Sequence, residues 1–317
     1  MSSYLITGGA GFIGSGRVRH LLERGAGRVV VFDNLLSGKE ENLAEVRDRV
    51  EFSRGDIRDY DAVLSAVRGV DIVFHLAAIP SVPRSISEPV PSHEVNLDGT
   101  FQVYRACAAA QVRRVVYAAS SSAYGDTDVL PKVETMAPHP KSPYALQKLV
   151  GEQYGELFTA EFGLEVVSLR FFNVYGPRQD PSSPYSGILS IFMTCLLERR
   201  SPTLFGDGGQ TRDFTYVDDV AALALKAAHA PSQVAGKTYN AGNGGRFSLN
   251  ETWRLLCQIE GVDIPTLFGP PRPGDVRDSQ ADTTLAVRDL GHSPAVSFEQ
   301  GLKLTLDWYR GQYSPRG

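Results

Sequence analysis

The fold of this chain is decided by the stretch Thr7-Gly8-Gly9-Ala10-Gly11-Phe12-Ile13-Gly14. A short apolar run over residues 4–7 leads into it and a helical pattern over residues 18–22 follows, so the sequence predicts a strand, a glycine turn and a helix. Gly8 permits the tight turn, Gly11 lets the backbone approach a pyrophosphate, and Gly14 lets the helix lie close to the strand. The N-terminus of the helix then faces the anion.

An acidic residue at the end of the next apolar run supports this interpretation. Residues 28–32 predict a second strand, which ends at Asp33. Asp33 lies about 20 residues beyond the glycines, where a dinucleotide-binding unit has an acid for the ribose hydroxyls. A carboxylate at this point favours NAD, because it repels the 2′-phosphate of NADP.

Short apolar strands and helices continue to alternate through the first half of the chain. Further strands are predicted over residues 50–52, 71–75, 114–119 and 165–170. This alternation predicts a parallel sheet with helices on both faces, a doubly wound α/β fold of Rossmann type. From Phe171 onward proline and glycine become frequent and the alternation fails. We therefore expect a cofactor-binding domain over 1–170, with a returning segment near 213–242, and a smaller C-terminal α/β substrate domain over 171–317.

Composition argues against several classes of function. The 317 residues are 42% hydrophobic, which is ample for a buried core. A net charge of −4 without a basic block argues against nucleic-acid or membrane binding. The three cysteines are far apart and lack metal-ligand spacing, so we expect neither a disulfide nor a metal site. The sequence shows no signal peptide and no apolar run of membrane length, so we expect a cytoplasmic protein.

Two residues on one predicted helix are candidates for proton transfer. Ser142 and Pro143 are typical of a helix start, and Tyr144 and Lys148 follow four residues apart, so both side chains lie on one helix face. A free tyrosine has a pKa near ~10 and is a weak base at neutral pH, but a cation one turn away stabilises its phenolate. This pair occurs by chance in many helices, and the glycine turn earlier in the chain gives it significance.

The segment after the strand at 71–75 is predicted to be irregular. Residues 79–91 carry prolines at positions 80, 83, 89 and 91. A long loop at the carboxyl end of a parallel strand is a common ligand site, so Ser81 and Val82 are candidate contacts for cofactor or substrate. Arg84 is expected to face solvent. His75, on an apolar strand, is interpreted as a core histidine with satisfied hydrogen bonds.

Six motifs in this order resemble those of the extended short-chain dehydrogenase/reductase family. They are the glycine stretch at 7–14, His75-Leu76-Ala77-Ala78, Asn96-Leu97-Asp98-Gly99-Thr100, Ser120 to Gly125, Tyr144 to Lys148, and Arg170-Phe171-Phe172-Asn173-Val174-Tyr175-Gly176-Pro177. The resemblance covers essentially the whole chain and is strongest to UDP-hexose 4-epimerases, especially those acting on UDP-N-acetylglucosamine. It implies bound NAD, a UDP-sugar substrate and a homodimer packed through the helix that bears Tyr144 and its neighbour.

The resemblance also implies roles for individual residues. In catalysis, Ser120 hydrogen-bonds the reacting oxygen, Tyr144 moves the proton, and Lys148 lowers the tyrosine pKa and binds the nicotinamide ribose. The residues implied at the cofactor are Gly8, Gly11, Phe12, Ile13, Gly14, Asp33, Asn34, Asp56, Ile57, Leu76, Ala77, Ala78, Asn96, Tyr144 and Lys148. Those implied at the substrate are Ser81, Val82, Ser121, Ser122, Asn173, Arg212, Arg277 and Ser279. Of these, Arg212 and Arg277 would bind the diphosphate, and the small Ser279 would admit an N-acetyl group.

The resemblance implies an NAD-dependent 4-epimerase that interconverts UDP-GlcNAc and UDP-GalNAc, and also UDP-glucose and UDP-galactose, through a 4-keto intermediate. Three alternatives stay open. The first is a UDP-glucuronic acid 4-epimerase, which needs a cation such as Arg178 or Arg84 near the sugar carboxylate. The second is a nucleotide-sugar dehydratase, which is disfavoured because Ser121 and Ser122 stand where related dehydratases have acids. The third is a cofactor-binding sensor without turnover, which the intact catalytic positions disfavour.

Gly16 and Arg17, just past the glycine turn, depart from the usual pattern of the family. A glycine inside a helix costs about 1 kcal/mol relative to alanine. The sequence alone offers no reason for either residue.

Overall fold

Thirteen strands occur in the computed structural model, which describes residues 2–180, 187–271 and 276–312. In chain order they are β1 Ser3–Thr7, β2 Arg28–Asp33, β3 Glu51–Arg54, β4 Ile72–His75, β5 Arg114–Ser120, β6 Glu165–Phe171, β7 Val174–Tyr175, β8 Thr203–Phe205, β9 Thr211–Arg212, β10 Thr215–Tyr216, β11 Thr238–Ala241, β12 Phe247–Ser248 and β13 Leu267–Gly269. Seven of them form one parallel sheet in the order β11-β6-β5-β4-β1-β2-β3.

Eleven α-helices accompany these strands in the described ranges. They are α1 Phe12–Glu23, α2 Tyr60–Val67, α3 Val82–Ser87, α4 Pro89–His93, α5 Thr100–Ala109, α6 Pro143–Phe162, α7 Ile188–Leu197, α8 Val217–His229, α9 Leu249–Glu260, α10 Thr284–Leu290 and α11 Phe298–Gln312. Short 3-10 helices cover Glu40–Arg49, Ser121–Tyr124 and Ser232–Val234, and a π-helical turn covers Glu94–Gly99.

The prolines of residues 79–91 begin helices, which corrects the predicted irregular segment. The side chain of Ser81 caps α3 by accepting a hydrogen bond of 3.1 Å from the Arg84 amide. Both α3 and α4 carry proline in their first turn, where its missing N–H has no intrahelical partner to lose. A proline cluster therefore marked helix starts here.

Helices cover both faces of the sheet. Successive residues of a strand point to opposite faces, so neighbouring residues of β1 pack against different helices. Ile6 of β1 packs with Leu21 of α1 and Leu223 of α8 in one core cluster. Leu5, the preceding residue, packs with Tyr104 of α5 and other residues of α2 and α6 in a second cluster on the opposite face. The predicted doubly wound Rossmann-type fold is confirmed.

The region after Phe171 builds a third core cluster while one segment returns to the sheet. Phe192 of α7, Trp253 of α9 and Leu302 of α11 belong to this third cluster. Within the returning segment, β11 pairs with β6, with Thr238 opposite Ser168. The division into domains with boundaries at 170 and 171 stays a prediction.

The packing of α1 against α8 explains Arg17. A Cβ on Gly16 would lie 3.4 Å from a methyl group of Val217, which is an ordinary van der Waals contact, so nothing in the structure explains the glycine. Arg17 is 2% exposed, donates a hydrogen bond to the Ala221 carbonyl of α8, and lies 4.5 Å from the centre of the Phe74 ring. Burial lowers its pKa to about 9. Arg17 therefore serves helix packing on the sheet.

The strand order creates a crevice at the carboxyl edge of the sheet. The chain runs from β1 outward to β3 and then returns through β4 to β6 on the other side, so the loops after β1 and β4 diverge.

His75 lies at this edge but is fully buried, between hydroxyl oxygens of Thr7 at 2.8 Å and Thr100 at 3.1 Å. Burial lowers its pKa to about 3, which fits the interpretation as a core histidine.

Candidate active site

A cavity of about 1080 Å³ opens at the carboxyl edge of the sheet. Its wall combines the glycine turn, the ends of β2, β4 and β5, the start of α6, and residues from the second half of the chain. Most of the predicted site residues meet there. Those on the wall are Gly8, Gly11, Phe12, Ile13, Gly14, Asp33, Asn34, Ile57, Leu76, Ala77, Ala78, Val82, Ser120, Ser121, Ser122, Tyr144, Lys148, Asn173, Arg212 and Ser279.

The glycine turn leaves space and open hydrogen-bond donors for a dinucleotide. Gly8 has a φ of +69°, and a Cβ there would lie 2.8 Å from the Ala77 nitrogen. A Cβ on Gly14 would overlap the Gly8 carbonyl oxygen. The N-cap residue of α1 is Gly11, which supplies no side-chain cap, so the first N–H groups of the helix remain open toward an anion. These residues fit the pyrophosphate of NAD.

Asp33 is held at the end of β2 by main-chain donors. One carboxylate oxygen accepts a hydrogen bond of 2.9 Å from the Ala10 amide, and the other accepts one of 2.8 Å from the Leu35 amide. Both donors lie in turns that follow strands, so the carboxylate is fixed beside the glycine turn. This placement agrees with the predicted ribose contact.

The four predicted cofactor or substrate contacts that lie off the cavity wall are Asp56, Ser81, Asn96 and Arg277. Asp56 binds Arg58 at 2.9 Å and Asn34 at 2.9 Å, and the Arg58 hydrogen bond lowers its pKa to about 2. Ser81 caps α3, as described above. Asn96 is fully buried and joins the Ile79 amide, at 2.7 Å, to the side chain of Gln147, at 2.9 Å. Asn96 therefore braces the wall from behind, and its own contacts are to protein.

The three predicted catalytic residues converge at one end of the cavity. Ser142 caps α6 by accepting a hydrogen bond of 3.2 Å from the Ala145 amide, which confirms the predicted helix start. Lys148, one turn beyond Tyr144, is 3% exposed and donates a hydrogen bond of 2.8 Å to the Ala118 carbonyl of β5. Ser120 ends the same strand and accepts a hydrogen bond of 2.8 Å from the Ser122 hydroxyl.

The pKa shifts of Tyr144 and Lys148 differ from the expectation based on the sequence. Burial raises the pKa of the Tyr144 hydroxyl, and the neighbouring Ser120 hydroxyl opposes the shift. Burial also lowers the pKa of Lys148 to about 7, opposed by the charge of Glu152. Proximity on one helix face predicted a lowered tyrosine pKa, but desolvation dominates at both groups, because Lys148 is buried and Tyr144 is half-buried.

The predicted substrate contacts divide between two places. Asn173 and Ser279 line the main cavity, and Arg212 joins them while donating hydrogen bonds to the carbonyls of Thr211 at 2.8 Å and Arg277 at 3.2 Å. The Arg277 side chain, 59% exposed, instead binds Asp207 at 3.0 Å and lines a smaller pocket. Only its main chain approaches Arg212.

Lys132 and Tyr124 were not among the predicted site residues, although both line the cavity. Lys132 is 2% exposed, and its amide donates a hydrogen bond of 2.8 Å to the Gln280 carbonyl. This contact joins segments about 150 positions apart, which local sequence patterns do not reveal. Tyr124 stands inside the Ser120–Gly125 motif, so the motif already gave a signal for it.

Within residues 2–180, 187–271 and 276–312, no group of three or more histidine, cysteine, aspartate or glutamate side chains is arranged to hold a metal ion. No helix in those ranges combines the length and apolarity needed to cross a membrane.

The fold and the cavity define a Rossmann-type enzyme that binds a dinucleotide beside a Ser, Tyr and Lys constellation. Residues 4–242 match the model of the NAD dependent epimerase/dehydratase family. The chain belongs to this family. The predicted family, the fold and the NAD cofactor are therefore confirmed.

Three known proteins indicate the range of substrates among its relatives. A UDP-glucose 4-epimerase of Mycolicibacterium smegmatis is 39% identical over 312 residues, covering 97% of this chain and 98% of that protein. The structure of UDP-N-acetylglucosamine 4-epimerase from Methanobrevibacter ruminantium, in complex with UDP-N-acetylmuramic acid, has a TM-score of 0.93 at 34% identity and covers 98% and 99% of the two chains. That of UDP-glucuronic acid 4-epimerase from Bacillus cereus, in complex with UDP-glucuronic acid and NAD, has a TM-score of 0.91 at 33% identity and covers 98% and 100%.

Proposed function

We propose that this protein epimerises UDP-N-acetylhexosamines at C4, and also the plain UDP-hexoses. The broader class follows from the family and the relatives described above: the chain is an NAD-dependent isomerase, a UDP-sugar 4-epimerase. The single observation that carries the finer proposal is the position of Ser279 on the wall of the cavity that also contains Tyr144. A hydroxymethyl side chain leaves space there for an N-acetyl group.

The catalytic roles follow from the convergent side chains. Tyr144 takes the proton of the sugar C4 hydroxyl, and the Ser120 hydroxyl orients the same oxygen by a hydrogen bond. The Lys148 ammonium, one helical turn away, stabilises the Tyr144 phenolate that takes this proton. When bound, NAD supplies the acceptor, and later the donor, for the hydride at C4. Residues of the glycine turn and Asp33 hold its pyrophosphate and ribose.

Substrate binding is concentrated on the UDP portion, so that the sugar retains freedom to present either face. A guanidinium suits a diphosphate because its forked donors stay charged, and Arg212 lies on the cavity wall. We also assign Arg277 to the diphosphate. This role requires the Arg277 side chain to leave Asp207. Because both side chains of this ion pair are exposed to solvent, the pair contributes little stability. We assign to the sugar four further residues of the cavity wall, Val82, Ser121, Ser122 and Asn173.

The deciding experiment uses the purified protein without added NAD. It is incubated separately with UDP-GlcNAc, UDP-glucose and UDP-glucuronic acid, and the products are identified by proton NMR. Axial C4 epimers from UDP-GlcNAc would support both the retained cofactor and the Ser279 argument. Conversion of UDP-glucose alone would reject the N-acetyl proposal, and the absence of any conversion would contradict the assigned reaction.

A second candidate substrate is UDP-glucuronic acid. Arg178 lines the cavity, but its guanidinium already binds Glu45 at 2.9 Å. Arg84, the other cation considered, binds Glu88 at 3.0 Å and lies off the wall. A carboxylate substrate would therefore compete with Glu45 for Arg178. Exclusive conversion of UDP-glucuronic acid in the experiment above would establish this alternative.

We also propose a homodimer packed through α5 and α6. Leu146 and Leu157, which are 52% and 47% exposed, lie three helical turns apart on one line of α6. Phe101 of α5, 36% exposed, lies with its ring centre 5.3 Å from that of Tyr154 of α6. This apolar surface spans two neighbouring helices, and a second copy of the same surface would bury it.

A further inference from the structure

A buried ion pair stands directly behind the catalytic lysine. Glu152 lies one turn beyond Lys148 on α6, and its carboxylate binds the Arg170 guanidinium of β6 through Nε at 3.0 Å and Nη2 at 2.7 Å. Both side chains are only 5% exposed. Neither residue lines the cavity, so the pair touches neither substrate nor cofactor.

The pair is also connected to the cavity wall. The Arg170 guanidinium lies 4.5 Å from the ring centre of Tyr124, a wall residue. The Tyr124 hydroxyl donates a hydrogen bond of 2.6 Å to Asn240 of β11, which is opposite Arg170 in register. The ion pair is therefore held between the catalytic helix and two strands, which fixes its distance from Lys148.

Lys148 has few other groups to stabilise its charge. Its Nζ contacts the Ala118 carbonyl and lies 4.9 Å from the ring centre of Tyr117. The titratable or charged groups that face this region are Tyr144 and Glu152 on α6, Tyr104 on α5, His75 on β4, Tyr117 on β5 and Arg170 on β6. Among these, Glu152 is the group that can carry a negative charge: burial raises the pKa of its carboxyl, and the hydrogen bond and charge of Arg170 oppose that shift. Burial lowers the pKa of His75 and raises the pKa values of the tyrosines.

We propose that Glu152 and Arg170 are positioning residues that set the charge of Lys148 during epimerisation. The Glu152 carboxylate favours the Lys148 ammonium, and Arg170 limits that effect by neutralising most of the carboxylate charge. Arg170 thus keeps Lys148 able to respond to the tyrosine and the cofactor. This inference rests on the proposed catalytic role of Lys148.

Opposite shifts of the pH profile test this proposal. In Glu152→Gln, Lys148 faces Arg170 without the carboxylate, so the high-pH limb of the kcat profile should move to lower pH by about one unit. In Arg170→Gln, the carboxylate acts on Lys148 alone, and the limb should move to higher pH. A merely structural pair would lower kcat in both variants and leave the limb in place.

Matched controls separate charge from folding. Arg114 and Glu165 form a similar pair, 2.8 Å apart, at the amino ends of β5 and β6. Glu165→Gln should lose thermal stability and keep the wild-type pH profile. KM for the UDP-sugar should change less than twofold in Glu152→Gln, because the residue lies off the cavity wall.

Each outcome decides the question. The two shifts are predicted separately, so either variant that folds is sufficient to test the proposal. Glu152→Asp keeps the charge and should restore the high-pH limb toward its wild-type position. An unmoved limb, or shifts in the same direction, would overturn the proposal. Failure of the proposed function appears differently, because the wild-type protein would then convert no UDP-sugar.

Discussion

The Nζ of Lys148 donates a hydrogen bond of 2.8 Å to the carbonyl of Ala118, two residues before Ser120 on the same strand. This contact joins α6, which carries the proposed base Tyr144, to the strand that carries Ser120, the proposed catalytic serine. It fixes the lysine beside β5, and it also removes the ammonium from solvent. The geometry that assembles the site is therefore the cause of the lowered pKa of Lys148.

Tyr144→Phe should abolish epimerisation and leave NAD bound. The substitution removes only the hydroxyl that takes the proton, so we expect kcat to fall by about 10²–10⁴-fold. The measurement is product formation by proton NMR, with cofactor content read from the absorbance of the denatured protein. Tyr154→Phe, on the same helix but away from the cavity, is the control and should retain activity. Undiminished turnover in Tyr144→Phe would remove this residue from the mechanism.

Lys148→Met should inactivate the protein and stabilise it. Burial lowers the folded-state pKa of Lys148 from 10.5 to about 7, so the folded state resists a proton that the unfolded chain binds. The resulting penalty is fully present below pH 7, decreases as the pH rises from about 7 to about 10.5, and is absent above.

Urea unfolding between pH 7 and pH 10 measures this effect. The wild-type free energy of unfolding should gain a positive slope from this group, and Lys148→Met should lack that contribution. At pH 7 we expect the variant to gain on the order of 4 kcal/mol. Equal slopes for the two proteins would show that Lys148 does not carry the penalty.

Asp33→Asn should weaken NAD binding and relax discrimination against NADP. The substitution removes the negative charge that the Ala10 and Leu35 amides hold in place. Loss of a charged hydrogen bond costs about 1.5–3 kcal/mol, so NAD affinity should fall about 10- to 100-fold. Calorimetric titration of the cofactor-stripped protein measures both cofactors. Asp56→Asn is the matched control, and a comparable loss there would return Asp56 to the cofactor site.

Ser279→Tyr should reduce turnover of UDP-GlcNAc and preserve that of UDP-glucose. A phenol ring on the cavity wall would occupy the space that we assign to the N-acetyl group, and the ratio of kcat/KM values should change by at least about tenfold. Ser279→Ala, which keeps the site small, should leave the ratio near that of the wild type. An unchanged ratio in Ser279→Tyr would place the N-acetyl group elsewhere.

Leu157→Asp should dissociate the proposed dimer. A carboxylate at the centre of an apolar contact loses its hydration without gaining a partner, which costs several kcal/mol. Mass measured by light scattering over a range of concentrations reports the assembly. Leu304→Asp on α11 is matched in exposure, at 44% against 47%, and should leave the mass unchanged. A monomeric wild-type protein would contradict the proposal directly.

Local rules were sufficient for the elements that carry strong local signals. The glycine turn, the acid at the end of β2 and the start of α6 at Ser142 depend on backbone conformation and capping, which a few neighbouring residues determine. The same rules were wrong at residues 79–91, because proline permits the first turn of a helix as readily as it breaks an interior turn.

The sequence by itself therefore determined the class of fold, the glycine turn that we assign to the pyrophosphate, and the helix that bears Tyr144 and Lys148. The tertiary structure alone decided the surroundings of those residues. Asp56, Ser81 and Asn96 turn to protein partners, Lys132 reaches the cavity wall, and Arg170 meets Glu152. The physical reason is that burial and long-range contacts set both orientation and pKa, and these depend on segments far apart in the chain.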